Sequence, residues 1–347
     1  MKTILTKIYR FAHYPNRLAR LLRLANLLEI RLQREYLLTH PPVLCLDPGP
    51  VCNLRCLSCP TGDGTSRLER EFLLPEVFEK IVSNIRVNRL AHVNLYRLGE
   101  PLLNRHLNPY IEYFTKRKIF TALSANFSAK DYDEAYLEAL ARTGLDEITV
   151  CVDGMSQETY EKYRVGGNLA RVLGNLRRLS SVKKAHGLKK PRLIFKMLLN
   201  KFNQHEVEEA KRMAAELDAE FYQPHFFWTP AGQDEEWMAD AFKEKYQGTP
   251  QTYIVTKGDA HRDVDTECRQ LWDTAQVNAN GDVFPCCFCV DPAAAVGNLT
   301  RQHIDEIWNN ERMRAMRRYV TYPDTEPLTF PNRCNGCPHR FCTYWAK

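Results

Sequence analysis

Cys52-Asn53-Leu54-Arg55-Cys56-Leu57-Ser58-Cys59-Pro60 decides how this chain is read. Three cysteines fall within eight residues, shortly after the apolar run Val43-Leu44-Cys45-Leu46. Thiols this crowded cannot all bury as inert apolar groups, whereas soft thiolates gathered on a loop after a strand suit iron or zinc. Three ligands leave one position open. Zinc would need a partner from elsewhere in the chain, and a 4Fe-4S cluster would keep one iron free to hold a substrate or cofactor.

Working outward, short apolar runs recur at residues 43–46, 92–98, 120–123, 147–152, 193–199 and 220–227. Between them, residues 75–88, 103–118, 131–143, 168–184 and 204–217 carry helix-compatible periodicity, so the order reads as repeated βα units with parallel strands. In a closed or part-closed barrel, as in an open sheet, ligands bind beyond the C-terminal ends of such strands. The cysteine loop leaves the first strand at that end.

Cys-x3-Cys-x2-Cys at the end of a first strand resembles the cluster loop of the radical S-adenosylmethionine (SAM) enzymes. The resemblance implies an α/β fold built as a partial (β/α)6 TIM-like barrel. It also implies a 4Fe-4S cluster on Cys52, Cys56 and Cys59, whose fourth iron is chelated by the amino and carboxylate groups of SAM. An electron from that cluster then splits the sulfonium to give a 5′-deoxyadenosyl radical. The family often carries an aromatic residue before the third cysteine. Ser58 stands there instead, so packing near the adenine must come from elsewhere.

Further motifs follow at the later strand ends. Gly99-Glu100-Pro101 resembles the family's Gly-Glu-Pro segment, which binds the methionine ammonium, and Leu123-Ser124-Ala125-Asn126 resembles its Ser/Thr-x-Asn segment near the cofactor's carboxylate and ribose. Ser124 and Asn126 have the required hydrogen-bonding groups, which serve equally well to cap local backbone. The fourth unit reads Thr149-Val150-Cys151-Val152-Asp153-Gly154, followed by Tyr163-Arg164, and resembles the family's Asp-Gly strand with a Tyr-Arg beyond its helix. Strand alternation puts Thr149, Cys151 and Asp153 on one face. Cys151 is then either a buried inert thiol or a hydrogen-atom donor facing the reaction chamber. Lys196 and Asn200 share a parity on the fifth strand, Asn203 and Glu206 lie near the next helix start, and Gln223 and His225 share a parity on the sixth. All six are expected cofactor or substrate contacts.

The C-terminal third has its own cysteines. Cys268 precedes Val277-Asn278-Ala279-Asn280-Gly281-Asp282-Val283-Phe284-Pro285-Cys286, in which Asn280-Gly281 is a strong hairpin signal. A helical stretch at 304–319 leads to Cys334-Asn335-Gly336-Cys337 and then Cys342. Two isolated cysteines and a Cys-x2-Cys pair can close a four-thiolate site for zinc or a fully ligated 4Fe-4S cluster. The arrangement resembles the SPASM/Twitch appendage of radical SAM enzymes. It implies one auxiliary cluster on Cys268, Cys286, Cys334 and Cys337, with Cys287, Cys289 and Cys342 as spare or substitute ligands.

The chain of 347 residues, 44% hydrophobic, is long enough for a barrel plus an appendage. The expected division is a basic amphipathic helical extension at 1–42, the partial barrel at 43–250 and the SPASM/Twitch domain at 251–347. The net charge of +6 is too mild to argue for nucleic acid, and no apolar stretch fits a membrane span or secretory signal. The expected location is cytoplasmic. Residues 1–40 hold eight basic and two acidic residues. Leu18, Leu22, Leu27, Leu28 and Ile30 among the arginines either pack against the barrel or lie on an anionic membrane at its inner face.

The resemblance implies a reduced flavodoxin or ferredoxin-like electron donor and hydrogen abstraction from a substrate carbon. A one-cluster appendage is similar to that of aminocyclitol dehydrogenases and some carbohydrate epimerases, so the expected substrate is sugar-like or another small polar molecule, undergoing epimerisation or dehydrogenation. A peptide-modifying enzyme (epimerase or crosslinking maturase) and a non-enzymatic metal-binding scaffold are the alternatives.

Overall fold

In the computed structural model, the residues described are 17–224, 233–240, 268–322, 325–332 and 334–335. The sixth-strand expectation at 225–227, His225, Cys337 and Cys342 lie outside them.

A helix, α1 (Arg17–Arg31), leads to strand β1 (Val43–Leu46). The βα repeat then runs α2 (Pro75–Asn84), β2 (His92–Asn94), α3 (Leu107–Thr115), β3 (Phe120–Ala125), α4 (Glu134–Arg142) and β4 (Glu147–Cys151). It continues with α5 (Gln157–Tyr163), α6 (Leu169–Ala185), β5 (Arg192–Lys196), α7 (Val207–Glu216) and β6 (Glu220–Tyr222). A four-residue helix, α8 (Asp234–Trp237), follows. The last described part comprises α9 (Gln270–Asp273), β7 (Thr274–Val277), β8 (Asp282–Phe284), β9 (Gly297–Asn298), α10 (Ile304–Trp308) and α11 (Glu311–Thr321).

All of β1 to β6 pair in parallel, giving the sheet order β6-β5-β4-β3-β2-β1-β7-β8-β9, open at both ends rather than closed into a barrel. Leu44, Leu46, Val93, Leu123, Ile148, Val150, Leu193 and Phe195 enter one continuous core with the helices. Their strand neighbours Cys45, Ser124, Thr149, Cys151 and Lys196 therefore face the opposite, concave side.

Several elements are shorter than their sequence patterns predict, for visible reasons. β2 stops at Asn94 because the chain must turn to bring Gly99 against the loop after β1. Residues 103–118 start their helix late, since Pro101 opens a separate 3-10 turn, Pro101–Leu103. The stretch 304–319 is split in two, because the Asn310 side chain accepts from Met313 N at 3.0 Å and starts a new helix.

The predicted hairpin forms as β7–β8, antiparallel through Gln276–Phe284 and Val277–Val283, with Gly281 at φ +85°. β7 also pairs in parallel with β1 along Val43–Leu46. The C-terminal hairpin thus extends the sheet on the free side of its first strand.

Candidate active site

The loop after β1 is tied down on both sides. Cys59 N donates to Cys56 O at 3.1 Å, Gly62 N to Cys59 O at 2.8 Å, and Arg55 N to Val165 O at 3.0 Å in the α5–α6 connection. A Cβ on Gly62 would lie 2.6 Å from Cys56 N, so only glycine lets the loop close this tightly. Cys56 is buried and packs with Leu54, Tyr163, Leu198, Leu199 and Trp237, and Cys52 and Cys59 pack against the same group. Tyr163 and Trp237 stand edge to face, their ring centroids 6.2 Å apart. These aromatics sit beside a loop that has Ser58 where an aromatic would be expected.

Donors point at the sulfurs. Leu54 N lies 3.4 Å from Cys52 Sγ, Asn126 Nδ2 3.6 Å from the same atom, and Arg164 Nη1 3.6 Å from Cys56 Sγ. Burial pushes the Cys52 thiol up to about 11, and it raises Cys56 as well, against the pull of the Arg164 guanidinium. Binding iron as thiolates therefore expels protons held by burial. Three thiols, N–H donors aimed at sulfur, a compensating cation and an apolar surround match what a thiolate-held cluster requires. Among the described residues, no three His, Cys, Asp or Glu side chains are arranged to hold a single metal ion.

Glu100, Asn126, Asp153 and Arg164 form a linked frame around this loop. Glu100 is buried; its carboxylate accepts from Leu102 N at 3.1 Å and Asn126 N at 2.5 Å. Burial pushes its pKa up to about 7 against those two hydrogen bonds. Glu100 N donates to Val51 O at 2.8 Å, and Pro101 opens the turn that carries Leu102. Asn126 also donates to Asn53 Oδ1 at 3.0 Å. Asp153 is fully buried, accepting from Leu198 N at 2.7 Å and from Arg164 Nε at 2.6 Å. The Arg164 pKa lies well above its ordinary value: burial opposes the charge, and the Asp153 carboxylate outweighs it.

On the concave face, Ser124 Oγ lies 3.7 Å from Cys151 Sγ, and Lys196 stands opposite Cys151 in the β4–β5 register. The next residues are engaged locally. Asn200 Oδ1 accepts from Phe202 N at 2.8 Å, Asn203 donates to Asp153 O at 3.0 Å and Leu198 O at 2.8 Å, and Glu206 accepts from Met155 N at 2.8 Å. Asn200, Asn203 and Glu206 shape the loop around Asp153, a scaffolding role that their strand parity does not reveal. Gln223 falls just past β6.

In the C-terminal third, Cys286 follows β8, and its thiol takes hydrogen bonds from Cys287 and Cys289, which hold it well below the usual thiol range. Phe288 N also donates to Cys286 Sγ at 3.3 Å. Cys289 packs beside Cys286 in an apolar group with Leu68, Leu98 and Phe284. Cys334 is buried in the main core, with Cys268 packed against it, and Cys334 is also near enough to Cys289 to help raise the latter's thiol pKa. Arg97 donates to Cys289 O at 2.5 Å and to Asn278 Oδ1, binding this thiol turn to the end of β2.

A family model for the radical SAM superfamily matches residues 46–214, and one for SPASM, an iron-sulfur cluster-binding domain, matches residues 268–338. The chain belongs to the radical SAM superfamily. Its radical SAM domain binds SAM and a 4Fe-4S cluster, and its SPASM domain binds auxiliary iron-sulfur.

Among curated proteins, the chain is 23% identical to the AdoMet-dependent heme synthase of Methanosarcina barkeri over 325 residues, 83% of this chain and 86% of that one. It is 30% identical to a probable GTP 3',8-cyclase of Methanococcus maripaludis, over only 35% of this chain and 40% of that one. Streptococcus suis SuiB bound to S-adenosylmethionine has a similar fold, with TM-score 0.61 and 14% identity over 84% of this chain and 71% of that one. So does anSMEcpe with bound AdoMet, with TM-score 0.52 and 16% identity over 79% of each chain.

Sequence reasoning missed Asn53 and Asp47. The Asp47 carboxylate is buried below the loop and accepts from Gly49 N at 3.0 Å and Leu98 N at 3.2 Å, joining the first two strand ends. Its signal, a lone acid after an apolar strand, is a weak one. Cys289 had a stronger signal, a Cys-x2-Cys spacing with Cys286.

Proposed function

We propose that this radical SAM protein abstracts hydrogen from a sugar-like or other small polar substrate, with epimerisation or dehydrogenation as the outcome. The observation that carries this reading is the Cys151 thiol on the concave sheet face, 3.7 Å from Ser124 Oγ. In the same reading, residues 43–250 form the radical barrel and 251–347 the auxiliary domain. Cys52, Cys56 and Cys59 hold the radical cluster; Gly99, Glu100, Pro101, Ser124, Asn126, Asp153, Arg164, Lys196 and Asn200 surround SAM; and Cys268, Cys286, Cys334 and Cys337 hold one auxiliary cluster. Bound SAM supplies a carbon-centred radical able to break an unactivated C–H bond.

The chain's own groups set the outcome. Cys151 Sγ–H donates a hydrogen atom to the substrate carbon radical, forming a C–H bond and leaving a thiyl radical. One electron from a flavodoxin- or ferredoxin-like donor and one proton from water restore the thiol. If the substrate radical instead loses one electron to the oxidised auxiliary iron-sulfur cluster and one proton to water, the product is dehydrogenated and Cys151 takes no part.

Turnover in deuterium oxide tests this. We expect one deuterium at the reacting carbon of the product, and loss of epimer with continued 5′-deoxyadenosine formation in Cys151→Ala. A product two hydrogens poorer, made equally well by that variant, rejects the thiol-donor reading.

Glu100 provides a pH test. Its pKa is pushed up to about 7 by burial, and the carboxylate rather than the acid attracts the methionine ammonium. The ionised fraction falls as pH drops, so SAM should bind about tenfold more weakly at pH 6 than at pH 8. Calorimetric titration of the reconstituted protein reads the slope, which Glu100→Gln should flatten. A pH-independent wild-type affinity would remove Glu100 from the ammonium site.

A further inference from the structure

The turn after β8 is built like the cysteine loop after β1. Cys289 N donates to Cys286 O at 3.2 Å, and Phe288 N donates to Cys286 Sγ at 3.3 Å. In the loop after β1, Cys59 N donates to Cys56 O at 3.1 Å, and Leu54 N donates to Cys52 Sγ at 3.4 Å. In each place a Cys-x2-Cys turn is closed by its own backbone, and the N–H two residues beyond a cysteine donates to that cysteine's sulfur. Bonds of this kind orient thiolates toward a metal centre.

The thiols of this turn have different neighbours. Cys287 and Cys289 both hydrogen-bond to the Cys286 thiol. Beyond it, Cys287 has Cys45 of β1 as a thiol neighbour, whereas Cys289 has Cys334. Cys289 and Cys334 are both buried. A cysteine buried for packing alone needs only apolar contact, yet Cys289 lies close to two other sulfurs. One cation serves the group: Arg97 donates to Cys289 O at 2.5 Å, and its charge acts on Cys286, Cys287 and Cys289. Arg164 is the corresponding cation beside Cys56. Among the described residues, no three of these thiols are arranged for a single ion, whereas a four-iron cluster takes one thiolate on each iron.

We propose that Cys289 is a ligand of the auxiliary iron-sulfur cluster, alongside Cys286 and Cys334, rather than a spare cysteine. This rests on the reading of one auxiliary cluster given above and alters its ligand set. With Cys286, Cys289 and Cys334 in place, one position is left for the other two cysteines assigned there, Cys268 and Cys337. Cys287 stays outside the set. Its further thiol neighbour, Cys45, is committed to the barrel strand, where its Sγ donates to Tyr96 O at 3.1 Å.

Anaerobic reconstitution of the full-length protein, followed by iron and sulfide assay, tests the assignment. The wild type should hold about eight irons and Cys289→Ala about four, while Cys287→Ala keeps the wild-type count. The iron-free forms of all three should melt at the same temperature, which separates ligand loss from misfolding. Cys289→Ser, which keeps the shape of the side chain, should shift the electron paramagnetic resonance spectrum of the reduced auxiliary cluster, because oxygen replaces sulfur on one iron. Full iron in Cys289→Ala, equal loss in Cys287→Ala, or a wild-type spectrum in Cys289→Ser would each overturn the proposal. A wild type with only about four irons would remove the auxiliary cluster itself and this assignment with it. No substrate enters these measurements, so failure of the epimerisation reading leaves them unaffected.

Discussion

Replacing any one of Cys52, Cys56 or Cys59 with alanine is expected to abolish 5′-deoxyadenosine formation, a loss of more than about a thousandfold. With three thiols gathered on one short loop, each deletion leaves two ligands, too few to retain a cluster with one iron open. The loop itself should survive. Its shape comes from backbone bonds such as Arg55 N to Val165 O at 3.0 Å and Gly62 N to Cys59 O at 2.8 Å, and only Cys56 of the three is buried. The check is joint: iron and sulfide per chain after anaerobic reconstitution should fall by about four atoms each, while the auxiliary share persists and the circular dichroism spectrum is unchanged. A variant that retains both full iron content and cleavage would remove that cysteine from the radical cluster.

The second large effect is expected from Gly99→Ala. A Cβ at this position would stand 1.8 Å from Gly49 O and 2.8 Å from Val51 O. Both are backbone atoms, so no side chain can rotate to make room, and Gly49 is itself held at φ +147°. The two strand-end loops must separate, stretching the Glu100 N to Val51 O bond of 2.8 Å and displacing the Glu100 carboxylate from Asn126. Overpacking of this kind costs about 3 kcal/mol. SAM affinity should fall at least about tenfold for every 1.4 kcal/mol that reaches the site. Thermal melting with calorimetric titration separates the two effects. A wild-type melting temperature together with wild-type affinity would show that the close approach is dispensable.

Some of this architecture could be read directly from the residues. The β1 run and the cysteines after it are local features, and so are the alternation that turns Cys151 away from Ile148 and Val150 and the Asn280-Gly281 turn. What escaped was set by contacts distant in sequence. No periodicity announces that β7 pairs with β1, 231 residues earlier at Val43–Thr274. In α1, Leu28 lies outward while Leu27 and Ile30 pack inward, a division set by Asn26 and Glu29 finding partners in Trp272 and Thr39. Asp153 shows the same limit within the site. Its face follows from strand parity, but its ion pair with Arg164 depends on how α5 ends.

The seam between β7 and β1 also restricts how the two cysteine groups can move past each other. The cysteine loop leaves β1, and the thiol turn at Cys286 leaves the hairpin hydrogen-bonded beside it along four residue pairs. A swivel between these two parts would have to rupture a ladder in the middle of a nine-stranded sheet. The span from the cysteine loop to the Cys286 turn is consequently a constant of the scaffold.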